Sequence, residues 1–332
     1  MTTFKEIRGT AIQVVSSDPS NPEGGQIWYN SSTGTLKGSG YSATWASAAS
    51  LGTSRYQMGG AGIQTSLIVF NGAGSSPSAT DDTSEKYNGT SWTAAATLPN
   101  TKYRPGGVGT QTAALSISGV PISNGPTATA GTASYNGTSW TSITDLSTGR
   151  MFCATAGTQT AALAFGGYSY IPGGGATKLS STEAWNGSAW TSGGSLPTAV
   201  GQLSGMGTQT AAVSVLGQAP PNAATAASNN YNGTTWTASG NANTARTQAS
   251  SAGSQTAGLI FGGNSGSATG ATELYNGSTF TSNPTGLGTA REGMAQGPVG
   301  NQTAAIGAGS GPAGVSVEAW NVGFATKTIT VS

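Results

Sequence analysis

Residues 85–93 read EKYNGTSWT, and the phrase returns four times: ASYNGTSWT at 133–141, EAWNGSAWT at 183–191, NNYNGTTWT at 229–237 and ELYNGSTFT at 273–281. A first aromatic recurs at Tyr87, Tyr135, Trp185, Tyr231, Tyr275 and Trp320. A second recurs at Trp45, Trp92, Trp140, Trp190, Trp236 and Phe280. Another phrase, typified by TQTAALAFGG, runs in phase and places glutamine at 64, 111, 159, 209, 255 and 302. A repeat of this length points to solenoids or propellers.

Each unit reads as strands. TQTAALAFGG is a short apolar run ending in Gly-Gly, as suits a strand buried on both faces. Asn-Gly between two aromatics predicts a hairpin with a type I′ turn, with φ > 0 at Gly137 and Gly187. The turn chemistry also accounts for the Asn-x-Ser/Thr sequons at Asn88, Asn136, Asn186, Asn232 and Asn276. Segments such as RMFCATAG and RTQASSAG supply a further strand. Trp92, Trp140, Trp190 and Trp236 are expected in equivalent, largely buried sites between or at the edge of blades.

Composition restricts the chemistry. Only 7% of the 332 residues are charged, the net charge is +1, histidine is absent and cysteine occurs once, at Cys153. An average globular protein is about 25% charged. There is no electrostatic footprint for nucleic acid and no apolar run for membrane insertion. A His base, a Ser-His-Asp triad and a His or Cys metal cage are all excluded. No cofactor is expected. Glu85, Glu183, Glu273 and Glu318 each precede the first aromatic by two residues. Arg55, Arg150, Arg246 and Arg291 each open a unit, as does the Lys102–Arg104 pair. Four symmetric copies suit structural ion pairs better than acid–base catalysis, because an active site breaks symmetry.

The unit grammar, from Trp45 to Trp320, resembles the kelch-repeat β-propellers: Arg, apolar strand, Gly-Gly, Glu-x-Tyr, Trp. The Gly-Gly is kept at Gly166–Gly167 and Gly262–Gly263 and replaced elsewhere. The resemblance implies an all-β, six-bladed kelch-like propeller, or seven blades if the termini form an extra one. Residues 1–40 lie outside the repeat and are expected to form an attachment or strand-exchange segment, with 41–332 as the propeller. Within the segment, PSNPEGGQIWYNSSTGTLK (19–37) resembles a stretch of marine phage structural and tail-fibre proteins. Ala11–Val15 reads as a strand, and Ile12, Val14 and Val15 are the candidate assembly residues. QIWYNSSTGTLK reads as a hairpin. Which terminus closes the ring is left open.

In a four-stranded antiparallel blade alternate connections share a face. The Asn-Gly and Gly-Thr-Gln turns take one face. The connections after Gly-Gly take the other and vary in length. Tyr168, Tyr170, Lys178, Asp81 and Asp82 are the bulky or charged groups there, and aromatics with carboxylates suit a glycan.

The expected function is therefore a non-enzymatic phage virion protein, a tail-fibre or appendage propeller that contacts host-surface glycans. The alternative is a self-assembling filament or capsid decoration joined through terminal strands. A propeller glycan-active enzyme is the third. Partners would be other virion or filament subunits, a homo-oligomer among them. MTTFKEIRGTAIQVV carries no signal peptide, which fits a virion or extracellular assembly released by lysis.

Overall fold

The computed structural model describes residues 12–20, 26–74, 82–121, 127–171, 175–310 and 314–329. None of the described residues is helical. The chain divides into two compact units, residues 45–320 and residues 1–44 with 321–332.

The N-terminal unit contains β1 (Gln13–Val15) and β2 (Ile27–Asn30), paired in parallel, and the start of β3 (Thr35–Ala48), antiparallel to β2. Ala11 lies outside the described residues. The β2–β3 hairpin turns at Gly34, whose φ is +64°. Asp18 organises the unit. Its carboxylate accepts the Trp28 indole N–H at 3.1 Å and the Asn30 amide at 2.7 Å, and it pairs with Lys37 at 2.7 Å. These donors, Lys37 first, hold the carboxyl down at a pKa of about 2. Trp28 is fully buried.

The repeat unit is a propeller-like series of four-stranded antiparallel sheets, each written in chain order from inner to outer strand. The first holds β4 (Gly59–Ile63), β5 (Ser66–Phe70), β6 (Ser84–Tyr87) and β7 (Trp92–Ala95). The second holds β8 (Gly106–Thr110), β9 (Ala113–Gly119), β10 (Thr129–Tyr135) and β11 (Trp140–Ile143). The third holds β12 (Ala154–Gly157), β13 (Ala162–Phe165), β16 (Thr182–Trp185) and β17 (Trp190–Gly193), with a side hairpin of β14 (Tyr168–Ile171) and β15 (Gly175–Lys178). The fourth holds β18 (Ser204–Gly207), β19 (Ala212–Val215), β22 (Ser228–Tyr231) and β23 (Trp236–Ala238), with a short side pair, β20 (Gln218–Ala219) and β21 (Ala223–Ala224). The fifth holds β24 (Ser250–Gly253), β25 (Gly258–Phe261), β26 (Thr272–Tyr275) and β27 (Phe280–Asn283). Finally β28 (Ala304–Ala308) and β29 (Val317–Thr328) join a five-stranded sheet in the order β1-β2-β3-β29-β28.

Consecutive inner strands are neighbours: β4 beside β8, β8 beside β12, β12 beside β18 and β18 beside β24. Parallel bridges tie residues 296–299 to β4 on one side and to Ser251 of β24 on the other. Small residues permit this approach. A Cβ on Gly107 would sit 2.3 Å from the Gly60 carbonyl oxygen. Apolar clusters lie between sheets, as in the group of Phe165, Leu163, Leu196, Tyr231 and Trp236.

The repeated glutamines latch neighbouring sheets. Gln111 Nε2 donates to the carbonyls of Leu67 and Tyr87, at 3.1 and 2.6 Å. Gln209 and Gln255 make the same pair of bonds one sheet further each time, and Gln302 does so to Gly258 and Tyr275. Gln159 reaches Ala114 and Tyr135, and Gln64 reaches Ala305 and Trp320. Each glutamine satisfies two carbonyls left open at the end of the previous sheet.

The Asn-Gly turns differ from the expected type. Gly89, Gly137, Gly187, Gly233 and Gly277 have φ between +92° and +99°, but none of the preceding asparagines has positive φ. Tyr87 pairs with Trp92, so the loop has four residues, not two. The physical reason is the asparagine side chain. Asn88 Oδ1 accepts the N–H groups of Thr90 and Ser91, at 2.9 and 2.8 Å, and the Thr90 hydroxyl as well. That cap organises a wider turn without a left-handed asparagine.

Where the first glycine of Gly-Gly is replaced, the backbone keeps its shape. Asn71, Ser118 and Leu216 have φ of +57°, +60° and +64°.

Candidate functional site

Two residues after each unit-opening position, the chain turns left-handed in every unit: Gln57, Arg104, Phe152, Gln202, Gln248 and Gly293, with φ from +51° to +63°. Five of these are not glycine, and such backbone is strained unless its surroundings hold it. Here a cycle of backbone hydrogen bonds does so. Arg104 N–H donates to the Gln57 carbonyl at 2.8 Å, Phe152 to Arg104 at 3.3 Å and Gln202 to Phe152 at 3.2 Å. Gln248 donates to Gln202 at 3.0 Å, Gly293 to Gln248 at 3.3 Å and Gln57 to Gly293 at 2.6 Å, which completes the cycle.

One member carries charge. The Arg104 guanidinium lies between two rings, 4.6 Å from the Tyr103 centroid and 4.3 Å from that of Phe152. Its Nε donates to Gln57 Oε1 at 3.0 Å. Burial pushes its pKa down from the ordinary value, opposed by Tyr103, Tyr56 and Tyr168. Among the described residues no carboxylate lies within ion-pair distance of it. The neighbouring apolar group contains Val120, Met151, Phe152 and Tyr168, with Tyr170 packed against it.

Three of the loop residues singled out in the sequence come together here. Tyr168 and Lys178 are cross-strand partners in the β14–β15 hairpin, and Lys178 Nζ sits 5.7 Å from the Tyr168 ring. Lys178 donates to Asn222 Oδ1 at 2.5 Å. Tyr168 is buried, and its hydroxyl bonds to Gln218 Oε1. Burial pushes its pKa up to about 12. Tyr170 is half-buried. Asp82 lies in the first sheet's connection, where its carbonyl accepts the Leu98 N–H. Among the described residues, no hydrogen bond or ion pair joins it to Tyr168 or Lys178. Asp81 lies outside the described residues. In the N-terminal unit, Val14 is exposed and Val15 half-buried on β1, at the edge of its sheet, and Ile12, exposed, lies just before it.

The second aromatics fall into two groups rather than one. Trp140, Trp236 and Trp45 are buried against Phe70, Phe165 and Phe261 of the preceding sheet, at 4.9, 4.7 and 4.7 Å between centroids. Trp92 and Trp190 are half-exposed, each packed on the aromatic across its own hairpin. Phe280 is buried and stacks on Tyr275. Among the tryptophans the burial follows an alternation, which Phe280 does not share: phenylalanine precedes the left-handed turn in the first, third and fifth sheets, while the second and fourth have Ile117 and Val215.

The Arg–Glu pairs are buried ion pairs: Arg55–Glu85 at 2.9 Å, Arg150–Glu183 at 2.7 Å, Arg246–Glu273 at 2.5 Å and Arg291–Glu318 at 2.8 Å. Each carboxylate also accepts backbone N–H from the segment entering its sheet. Glu85 takes Gly52 and Thr53, and Glu183 takes Ser147 and Thr148. Every carboxylate in this set is therefore already engaged.

Sequence reasoning missed Arg104. The signal was present, since aligning the units at this position gives Gln, Arg, Phe, Gln, Gln and Gly, with one charge among them. Among the described residues no group of three or more His, Cys, Asp or Glu side chains could hold a metal ion. No family model matches the chain, and no curated protein sequence matches it.

Proposed function

We propose that the chain is a non-enzymatic phage virion protein: a closed, six-bladed, kelch-like propeller on a tail fibre or appendage that meets host-surface glycans through its variable face. Six blades are supported by the six-membered backbone cycle and by the latch from Gln64 back to Trp320. In this reading β3 supplies the outer strand of the sixth blade. Trp45 stands there 5.5 Å from Trp320, as Phe280 stands against Tyr275 in the fifth sheet. The virion assignment rests on residues 19–37 and their resemblance to phage structural proteins.

The observation that carries the binding role is Arg104. The cycle repeats six times, and at one place it holds a guanidinium between aromatic rings. Aromatic faces and an uncompensated cation together suit sugar rings and their anionic substituents. The recurring carboxylates are all held by arginines, which supports binding over acid–base catalysis.

The test is binding of the purified full chain to a panel of bacterial surface polysaccharides, beside Arg104→Ala and Tyr170→Ala. Retention by at least one polysaccharide, lost in Arg104→Ala, is expected. Equal retention of all three proteins, or of none, contradicts the reading.

One observation favours a second reading, self-assembly into a filament. Among the described residues β1 is an edge strand with Val14 two-thirds exposed, and an open edge accepts another strand. Imaging the purified chain separates the two. Polymers that vanish on deletion of residues 1–24 support the filament; small discrete particles support the appendage.

A further inference from the structure

The second sheet keeps a buried cation and has lost its carboxylate. Lys102 stands where the other units have Arg55, Arg150, Arg246 and Arg291, and Ala133 stands where they have glutamate. The loss coincides with a second change. Pro99 occupies the place of Gly52 and Ser147, whose N–H groups the glutamates accept, and proline has no N–H to offer. The fourth sheet shows a different outcome. It has Pro197 and Asn229, and there the cation has gone too, leaving Val200. Only the second sheet retains the positive group without its partner.

Lys102 is buried, and its Nζ donates to the carbonyls of Gly131 and Ser116, at 2.9 and 3.4 Å. Beside it opens a cavity of about 490 Å³ on the face of the variable connections. Asp145, Thr129, Thr132, Ser142 and Asn100 also line it. Asp145 is fixed in place by the Thr132 N–H, 3.1 Å from its Oδ1. No ion pair joins Asp145 to Lys102 among the described residues.

We infer that this cavity is a binding site for a sugar acid, whose carboxylate takes the place of the missing glutamate on Lys102 while its hydroxyls reach Asp145 and the threonine and serine hydroxyls. A carboxylate on a buried ammonium makes a charge-assisted bond in a low-dielectric seat. The volume takes one sugar ring. The carboxylate seat follows from the second sheet alone. The choice of a sugar acid as its owner rests on the glycan-contact reading.

Burial holds the Lys102 pKa down at about 7, and the titratable groups facing it are Asp145 and the Cys153 thiol. The ligand should therefore bind more tightly at about pH 6.5 than at about pH 9, because only the ammonium form attracts a carboxylate.

The experiment is a titration of the full chain, isotopically labelled at lysine, with glucuronate, glucose and acetate, followed by NMR at the Lys102 side chain. Glucuronate is expected to move the Lys102 signal and glucose to leave it. In Lys102→Met, whose apolar side chain has a precedent in Val200, affinity for glucuronate by calorimetry should fall roughly tenfold or more. Ala133→Glu should do the same by filling the seat from within. Glucuronate binding unchanged in both variants would overturn the site. Binding of acetate without glucuronate would overturn the sugar-acid class and leave polysaccharide binding at Arg104 untouched. No response to any carboxylate would overturn the seat itself.

Discussion

The second and third sheets share a strand plan and differ at three linked positions. In the third, Ser147 and Thr148 offer backbone N–H groups, Glu183 accepts both, and Arg150 lies buried on the same carboxylate. In the second, Pro99 has no N–H, Ala133 replaces the glutamate, and Lys102 rests on backbone carbonyls. A glutamate in this fold answers two demands at once, a cation and a pair of orphaned amides. In the second sheet proline removes one of the two amides, and the carboxylate is absent as well. The cation then either disappears, as at Val200, or becomes free to meet something else.

The largest expected effect tests the coupling in the third sheet. Glu183→Ala strands a buried guanidinium and two N–H groups. It should cost about 3–5 kcal/mol in a denaturant titration. Removing both charges, with Arg150→Met and Glu183→Leu together, should cost clearly less than the single change. A double variant as unstable as the single one breaks the comparison.

The tryptophans sharpen it from the packing side. Trp140, of the second sheet, is buried on Phe70, whereas Trp190, of the third, is half-exposed. Trp140→Ala should cost about 3–5 kcal/mol and Trp190→Ala roughly half that or less. Equal losses would show that the alternation of Phe70 and Phe165 with Ile117 and Val215 has no energetic meaning.

Where the two sheets are alike, they should respond alike. Gln111 and Gln159 each serve two carbonyls of the preceding sheet. Alanine at either should cost about 1–3 kcal/mol, the penalty for leaving buried acceptors unpaired. A twofold difference between them would mean that the latch is not equivalent around the series.

The smallest effect is a slope. Lys102 has a folded pKa of about 7, against 10.5 in the unfolded chain. Between those values the unfolded state binds more protons, so stability rises with pH through the window, by about 1.4 kcal/mol per unit from this group. Below the folded value the burial cost is present in full. Lys102→Met should flatten the slope, and Arg150→Met should not.

Much of this was legible before the structure. The spacing of aromatics and glutamines marks the sheets, and the Arg and Glu positions mark the ion pairs. The turn type was not legible, because Asn-Gly signals a two-residue loop unless the side-chain cap of Asn88 is also counted. Tyr168 reads as an exposed loop residue until the β14–β15 hairpin folds it onto Met151 and Phe152. The left-handed turns at Ser118 and Leu216 look like degraded glycines, although the backbone there is held by its neighbours. The glutamines were visible as a period, but their acceptors belong to the previous unit and lie some 24 residues away or more. Arg104 and Lys102 were visible as charges. Their meaning came from comparing units position by position.

The most direct measurement is the titration midpoint of Lys102 itself, read by lysine-selective NMR in the native chain and in Ala133→Glu. A midpoint near 7 in the native chain, moved up by one unit or more when the glutamate is restored, is the expected result. A native midpoint at the ordinary lysine value, about 10.4, would contradict the buried cation without a glutamate partner on which the comparison stands.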